Sequence, residues 1–158
     1  MSALNFNMER VISLRNILKE TSLIQDGHKD ASLVVIHNSE TGNIVAFERL
    51  EGEDGLICGG VESGEGLIDA AIREAKEESG LTLEEEDIIY LFSMASNSTM
   101  VHCYYYDVAS ESDPVVSIGE EFSSEGRPIW VNPETFLAES SDKFKEFNNV
   151  LLTTLGFA

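Results

Sequence analysis

Cysteine is scarce in this chain, and positive charge is scarcer still relative to its opposite. The two cysteines, Cys58 and Cys103, form neither a CxxC pair nor a zinc-ligand pattern. That excludes a disulfide-stapled or zinc-organised scaffold and fits reduced thiols in a cytosol-like compartment. Ten Lys and Arg stand against 29 Asp and Glu, a formal charge of -19. Nucleic-acid polymers are bound by clustered Lys and Arg, so no nucleic-acid polymer is expected as a partner; a small phosphorylated ligand stays admissible if metal ions neutralise it. No apolar run approaches a membrane span, and the opening MSALNFNMERVISLRN places charges where a secretion signal needs an apolar core. A cytoplasmic protein with no membrane partner is expected. Repeats, linkers and low-complexity segments are missing too.

What is present suffices for one domain. A chain of 158 residues buries about 68–70% of its unfolded surface. Residues 9–20, ERVISLRNILKE, carry Val11, Leu14 and Leu18 at helical spacing, within an N-terminal extension covering 1–31. SLVVIH (32–37) and IVAFERL (44–50) are β-branched runs around the turn-like NSETGN and predict a hairpin. After Leu56-Ile57 a glycine-rich loop leads into a helix from Gly66 or Leu67 to Ser79, stopped by Gly80. Leu67, Ile68, Ala71, Ile72 and Ala75 form its apolar side, the alanines allowing close approach to a sheet, with the acidic face looking outward. Residues 84–87 read as a solvated acidic loop, and Ile88–Ala95 and Met100–Ala109 as strands. Ser110–Gly126 reads as a mobile acidic loop, followed by a strand at Pro128–Val131. Asn132-Pro133 has the form of an N-cap with proline at the first helical position. Phe144, Phe147, Leu151 and Leu155 recur at helical steps in a C-terminal helix within 140–158.

One stretch carries chemistry. In GGVESGEGLIDAAIREAKEESGL, residues 59–81, Glu74 is three and four residues from Glu77 and Glu78, so all three share one helical face. Each like-charge pair costs roughly 0.2–0.5 kcal/mol in an isolated helix, and the nearby relief is Arg73, four residues from both Asp69 and Glu77. A hard divalent ion such as Mg²⁺ or Mn²⁺, which shares carboxylates, waters and substrate phosphates, would resolve the repulsion.

Gly59, Glu65, Arg73, Glu74, Glu77, Glu78 and Gly80 also fall at the fixed spacings of the Nudix box, and the chain resembles the Nudix hydrolases. Only Ala75 is smaller than the usual aliphatic. Outside the box the likeness covers about Ser32 to Leu137, with EGRPIW (125–130) similar to the nucleotide-pool-cleaning triphosphate pyrophosphatases. The resemblance implies an α/β/α sandwich with a mixed, curved sheet between helices. It implies Mg²⁺ or Mn²⁺ as cofactor and a small nucleotide substrate, a nucleoside diphosphate linked to a group X and cut by water.

On that resemblance, Glu77 and Glu78 are the principal metal ligands, and Glu74 is a ligand or the base. Arg73 orients the carboxylates through a fork that Lys cannot copy. Glu65 holds the loop and touches a metal directly or through water. Cys58 offers its backbone carbonyl, although relatives often have Pro-Gly where this chain has Ile57-Cys58. Cys58 is not taken as a nucleophile, since no base is paired with it.

A loop acid serves in several relatives as ligand or base; Glu125 is the choice here, with Glu120 and Glu121 behind it and plain surface charge the alternative. Trp130 is either a base-stacking residue or part of the core. His102, alone in a strand, is assigned no chemistry. The first expected substrate is a (deoxy)nucleoside triphosphate, yielding monophosphate and pyrophosphate. The alternatives are ADP-ribose, NADH or a dinucleoside polyphosphate, for which Ser96–Thr99 lack the proline or tyrosine marker seen in some relatives, and a non-catalytic nucleotide-sensing module. The oligomeric state stays open, a homodimer included.

Overall fold

The structure is a computed structural model describing residues 29–50, 54–118, 125–140 and 142–157; the helix expected at 9–20, and Glu120 and Glu121, lie outside the described residues. Six strands form one mixed sheet: β1 (Lys29–His37), β2 (Ile44–Arg49), β3 (Gly55–Gly60), β4 (Ile89–Ser96), β5 (Thr99–Asp107) and β6 (Gly126–Val131). The order across the sheet is β4-β5-β1-β3-β2-β6. Among the described residues three α-helices complete it: α1 (Leu67–Ser79), α2 (Pro133–Glu139) and α3 (Asp142–Thr154).

Strand β1 explains this arrangement. Its run from Ala31 to His37 is buried throughout, as expected of a strand covered on both faces. Leu33 and Val35 pack with Leu56, Phe136, Leu151 and Leu155 on the α2–α3 side. Val34 and Ile36 pack with Ile57, Ala71 and Ala75 on the α1 side. Such a strand needs hydrogen-bonded neighbours on both edges, and β1 has β5 in parallel on one and β3 antiparallel on the other.

The predicted hairpin is thereby corrected. The turn is there, with Asn38 N–H donating to the Asn43 carbonyl at 2.9 Å and Gly42 at φ 80°. The strands pair only at His37 and Ile44, because β3 lies between them and bonds to both. The glycines of GLICGG hid β3, since glycine weakens a strand pattern and often marks close backbone approach.

Helix α1 ends as expected. Gly80 is left-handed at φ 76° and its N–H bonds to the Lys76 carbonyl at 3.0 Å. Asn132 caps α2, accepting from the N–H groups of Glu134 and Thr135. The segment expected to be a mobile loop is fastened over its first part: Asp113 accepts from Asn38, Thr41 and Asn43, and Ser117 N–H bonds to the Ser79 carbonyl at 2.9 Å. Among the described residues no helix is long and apolar enough to cross a membrane.

Candidate functional site

Ala70, Ala71 and Ala75 are fully buried, so α1 lies close against the sheet. Glu74 and Glu78 follow Ala71 and Ala75 by three residues and are carried toward β3. The expectation of an outward acidic face is thus corrected: the Glu74 side chain is only 12% exposed and Glu77 34%. Gly59 makes room for this. A Cβ at Gly59 would overlap the Glu74 carboxylate, which gives a steric reason for glycine there.

Arg73 organises the cluster. Its Nε donates to Glu65 Oε2 at 2.8 Å and its Nη2 to Glu65 Oε1 at 3.0 Å, a bidentate fork. Nη1 reaches Glu74 Oε1 at 2.7 Å and Glu77 Oε2 at 3.2 Å, and Nη2 also donates to the Gly60 carbonyl at 2.9 Å. One guanidinium therefore ties the loop acid, two helix acids and the end of β3 together. Glu65 accepts in addition from Glu62 N–H at 3.1 Å. The hydrogen bonds from Arg73, then that from Glu62, hold the Glu65 carboxyl down at about 2.

Glu78 is in the opposite situation. Burial, then the hydrogen bond and charge of Glu74, push its carboxyl up to about 9, against the pull of Arg49 and the Cys58 backbone. Glu77 is also raised, by burial and then by Glu74. Two helix acids thus sit where a second negative charge is penalised. Among the described residues no three His, Cys, Asp or Glu side chains are gathered about one point as a finished ligand set; the Arg73 fork holds three of the acids instead. The donors are all hard oxygens, and among the described residues no cation lies within ion-pair distance of Glu78. These residues fit a divalent cation of the Mg²⁺ type.

Beside the cluster, on the other face of β3, lies a cavity of about 430 Å³. Leu33, Leu56 and Val101 form its floor, Phe144, Phe147 and Asn148 of α3 one wall, and Arg49, Asp54, Cys58 and Ser96 its polar remainder. Cys58 belongs to β3, opposite Leu33, and is not among the residues with positive φ, so it needs no glycine-like backbone. Burial pushes its thiol up to about 12, which removes thiolate reactivity at neutral pH.

The other candidates are placed differently. Glu125 is exposed and its carbonyl accepts from Leu50 N–H at 3.2 Å, beside the Arg49–Gly126 register pair. Trp130 packs on the α1 side and its Nε1 donates to the Pro114 carbonyl at 2.7 Å; it does not line the cavity. His102 bridges Asp30 at 2.9 Å and Ser93 at 2.6 Å. Sequence reasoning missed Arg49 and Asn148. Arg49 closes an apolar strand, and Asn148 lies one residue after Phe147 on the apolar stripe of α3; a polar residue at a core position was the available signal.

A family model described as "NUDIX domain" matches residues 27–152. No curated protein matches. Among solved structures, MutT of Aliivibrio salmonicida and Vibrio cholerae is similar at TM-score 0.61 and 21% identity, covering 80% of this chain and 95% of that one. The dihydroneopterin triphosphate pyrophosphohydrolase of E. coli is similar at 0.57 and 20%, covering 81% and 99%. A bifunctional NMN adenylyltransferase/ADP ribose pyrophosphatase of Francisella tularensis, complexed with AMP and a manganese ion, is similar at 0.63 and 15%. The match covers 94% of this chain and 47% of that one, so this chain spans about half its length.

Proposed function

Because the chain belongs to the NUDIX family and is a Nudix hydrolase, we propose that it cleaves a (deoxy)nucleoside triphosphate to the monophosphate and pyrophosphate. The observation that carries this reading is the adjacency of the carboxylate cluster and the cavity, joined through β3 at Cys58 and Gly59. A cavity of about 430 Å³ falls within the roughly 300–1,000 Å³ range of small-molecule sites and has room for one nucleoside. Phe144 and Phe147 bring aromatic rings to its wall, and Asn148, whose Nδ2 donates to Ser140 Oγ at 3.5 Å, brings an amide that has a second N–H.

Mg²⁺ or Mn²⁺ would be held by Glu77 and Glu78 with Glu74 and the Cys58 carbonyl; when bound, it neutralises the diphosphate and lowers the pKa of water. Arg73 fixes Glu74 and Glu77, and Glu65, with both oxygens on Arg73, anchors Arg73 and the loop. Water attacks phosphorus, its proton passes to Glu74 or Glu125, the anhydride P–O bond breaks and pyrophosphate leaves.

The test is a product-mass screen of the protein against the common nucleoside triphosphates, ADP-ribose, NADH and diadenosine polyphosphates, with Mg²⁺, Mn²⁺ or chelator. Metal-dependent release of monophosphate and pyrophosphate from a triphosphate is expected. Turnover confined to ADP-ribose, NADH or the dinucleotides would replace the substrate class, and no turnover of any compound would leave a nucleotide-binding module.

A further inference from the structure

Four polar side chains on the α1 face of the sheet form a hydrogen-bonded line that nucleotide cleavage does not use. Ser93 lies between Phe92 and Met94, and His102 between Val101 and Cys103, and these four neighbours all pack on the α2–α3 side. Alternation along a strand therefore turns Ser93 and His102 to the opposite face, where β4 and β5 set them side by side. His102 Nε2 stands 2.9 Å from Asp30 Oδ1 of β1, and its Nδ1 stands 2.6 Å from Ser93 Oγ. Tyr90 OH lies 2.7 Å from the same Oγ. Residues three apart on a regular strand face opposite ways; Tyr90 joins Ser93 because the register of β4 shifts between Tyr90 and Phe92, a bulge that re-aims a side chain. The line does not serve merely to satisfy buried groups, since the Asp30 side chain is 43% exposed, Tyr90 is 41% exposed and Ser93 is partly exposed.

A carboxylate only accepts hydrogen bonds, so the His102 proton sits on Nε2 toward Asp30, and Nδ1 is left to accept from the Ser93 hydroxyl. Nucleophile, base and a group orienting the base are thus in hydrogen-bond reach of one another, the arrangement that activates serine on unrelated folds. We propose that Ser93 is the nucleophile of a second, metal-independent site for small uncharged carboxylic esters, with His102 as its base, Asp30 as the positioning residue behind His102 and Tyr90 O–H as the donor to the carbonyl oxygen. Ser93 Oγ attacks the carbonyl carbon as its proton passes to His102 Nδ1; the ester C–O bond breaks and the alcohol leaves with that proton. Water then attacks the acyl group on Ser93 and gives a proton to His102, which returns it to Ser93 Oγ as the carboxylic acid departs. None of the four residues lines the cavity, which limits the acyl group to a small one, and a formal charge of -19 disfavours an anionic ester.

The experiment is covalent labelling by a fluorophosphonate, in which phosphorus takes the place of the carbonyl carbon and fluoride leaves, together with hydrolysis of p-nitrophenyl acetate. Both are run in EDTA, where metal-dependent cleavage of a phosphoanhydride is silent. The wild type is expected to take up the phosphonate on Ser93, located by mass mapping of its peptides, and to release p-nitrophenol catalytically. Ser93→Ala should lose both, and His102→Gln should slow both by at least about 100-fold. Asp30→Glu, which keeps a carboxylate behind His102, should retain more of the rate than Asp30→Asn. No phosphonate on Ser93 of the wild type, or p-nitrophenol release undiminished in Ser93→Ala, overturns the assignment; the mapping uses the wild type, so it does not depend on any variant folding. A protein that hydrolyses no nucleotide yet is labelled at Ser93 refutes the nucleotide reaction and keeps this inference.

Discussion

Replacing Arg73 by Lys keeps the charge and removes the fork, which makes it the sharpest test of how the site is held. The guanidinium makes four contacts to carboxylates and one to the Gly60 carbonyl. A hydrogen bond to a charged group contributes about 1.5–3 kcal/mol, but five contacts from one group do not add, and the Arg73 side chain is 24% exposed. A lysine still neutralises part of the repulsion and replaces one or two contacts. A net loss of about 2–4 kcal/mol follows, and at about 2–4 °C per kcal/mol for a chain of this size the melting temperature should fall by about 5–15 °C in chelator. Added Mg²⁺ should restore part of it, because an ion bound to the acids supplies the missing positive charge. Thermal denaturation followed by circular dichroism, in EDTA and in Mg²⁺, measures both. A variant that melts within about 2 °C of the wild type in EDTA would show that the fork is not what holds the loop to the helix, and the argument from Glu65 and Gly60 would fail with it.

Glu78→Gln tests the buried acid. The folded pKa of about 9 lies above that of the unfolded chain, so the protonated group stabilises the metal-free protein below about pH 4.5, and that contribution is lost as pH rises toward 9. The variant should therefore melt higher than the wild type at pH 8 in chelator and equally at pH 4.5, while hydrolysis in Mg²⁺ falls at least 100-fold; retained activity refutes the ligand assignment. Trp130→Phe removes the bond to Pro114 and should lower the melting temperature by a few degrees with KM unchanged, since the ring is outside the cavity; a several-fold rise in KM would return Trp130 to substrate binding. His37 lies buried against Tyr105 OH at 2.8 Å, and burial lowers its pKa from 6.5 despite Asp107. A depressed folded pKa means that stability is present above pH 6.5 and lost as pH falls below it. The melting-temperature gap between the wild type and His37→Gln should accordingly narrow from pH 7.5 to pH 5, and a constant gap contradicts the burial argument.

The box helix was legible because its information is local. Helical spacing, the alanines and the closing Gly80 fixed α1 within a residue of its observed bounds, and the spacing of the acids named the family later matched over residues 27–152. The direction of the acidic face was not legible, because helical periodicity gives a relative angle and only the packing of Ala71 and Ala75 on the sheet gives the absolute one. Nor was β3, whose partners lie 23 to 29 residues away, from Val34–Ile57 to Ala31–Gly60, with glycines weakening its local pattern. Phe144 shows the same limit: its spacing marked it as core, yet it is 42% exposed and faces the cavity.

These failures share a cause that bears on substrate choice. The residues that would grip the diphosphate lie close in sequence, on one helix and its loop, so sequence spacing alone brings them together. The residues that would grip the nucleoside, Arg49, Asp54, Cys58, Ser96, Phe144 and Asn148, come from three strands, a loop and a helix, and only the sheet order β4-β5-β1-β3-β2-β6 makes them neighbours. A substitution at Ser96, Phe144 or Asn148 leaves the catalytic helix untouched, so the base or leaving group accepted can change while the chemistry stays constant.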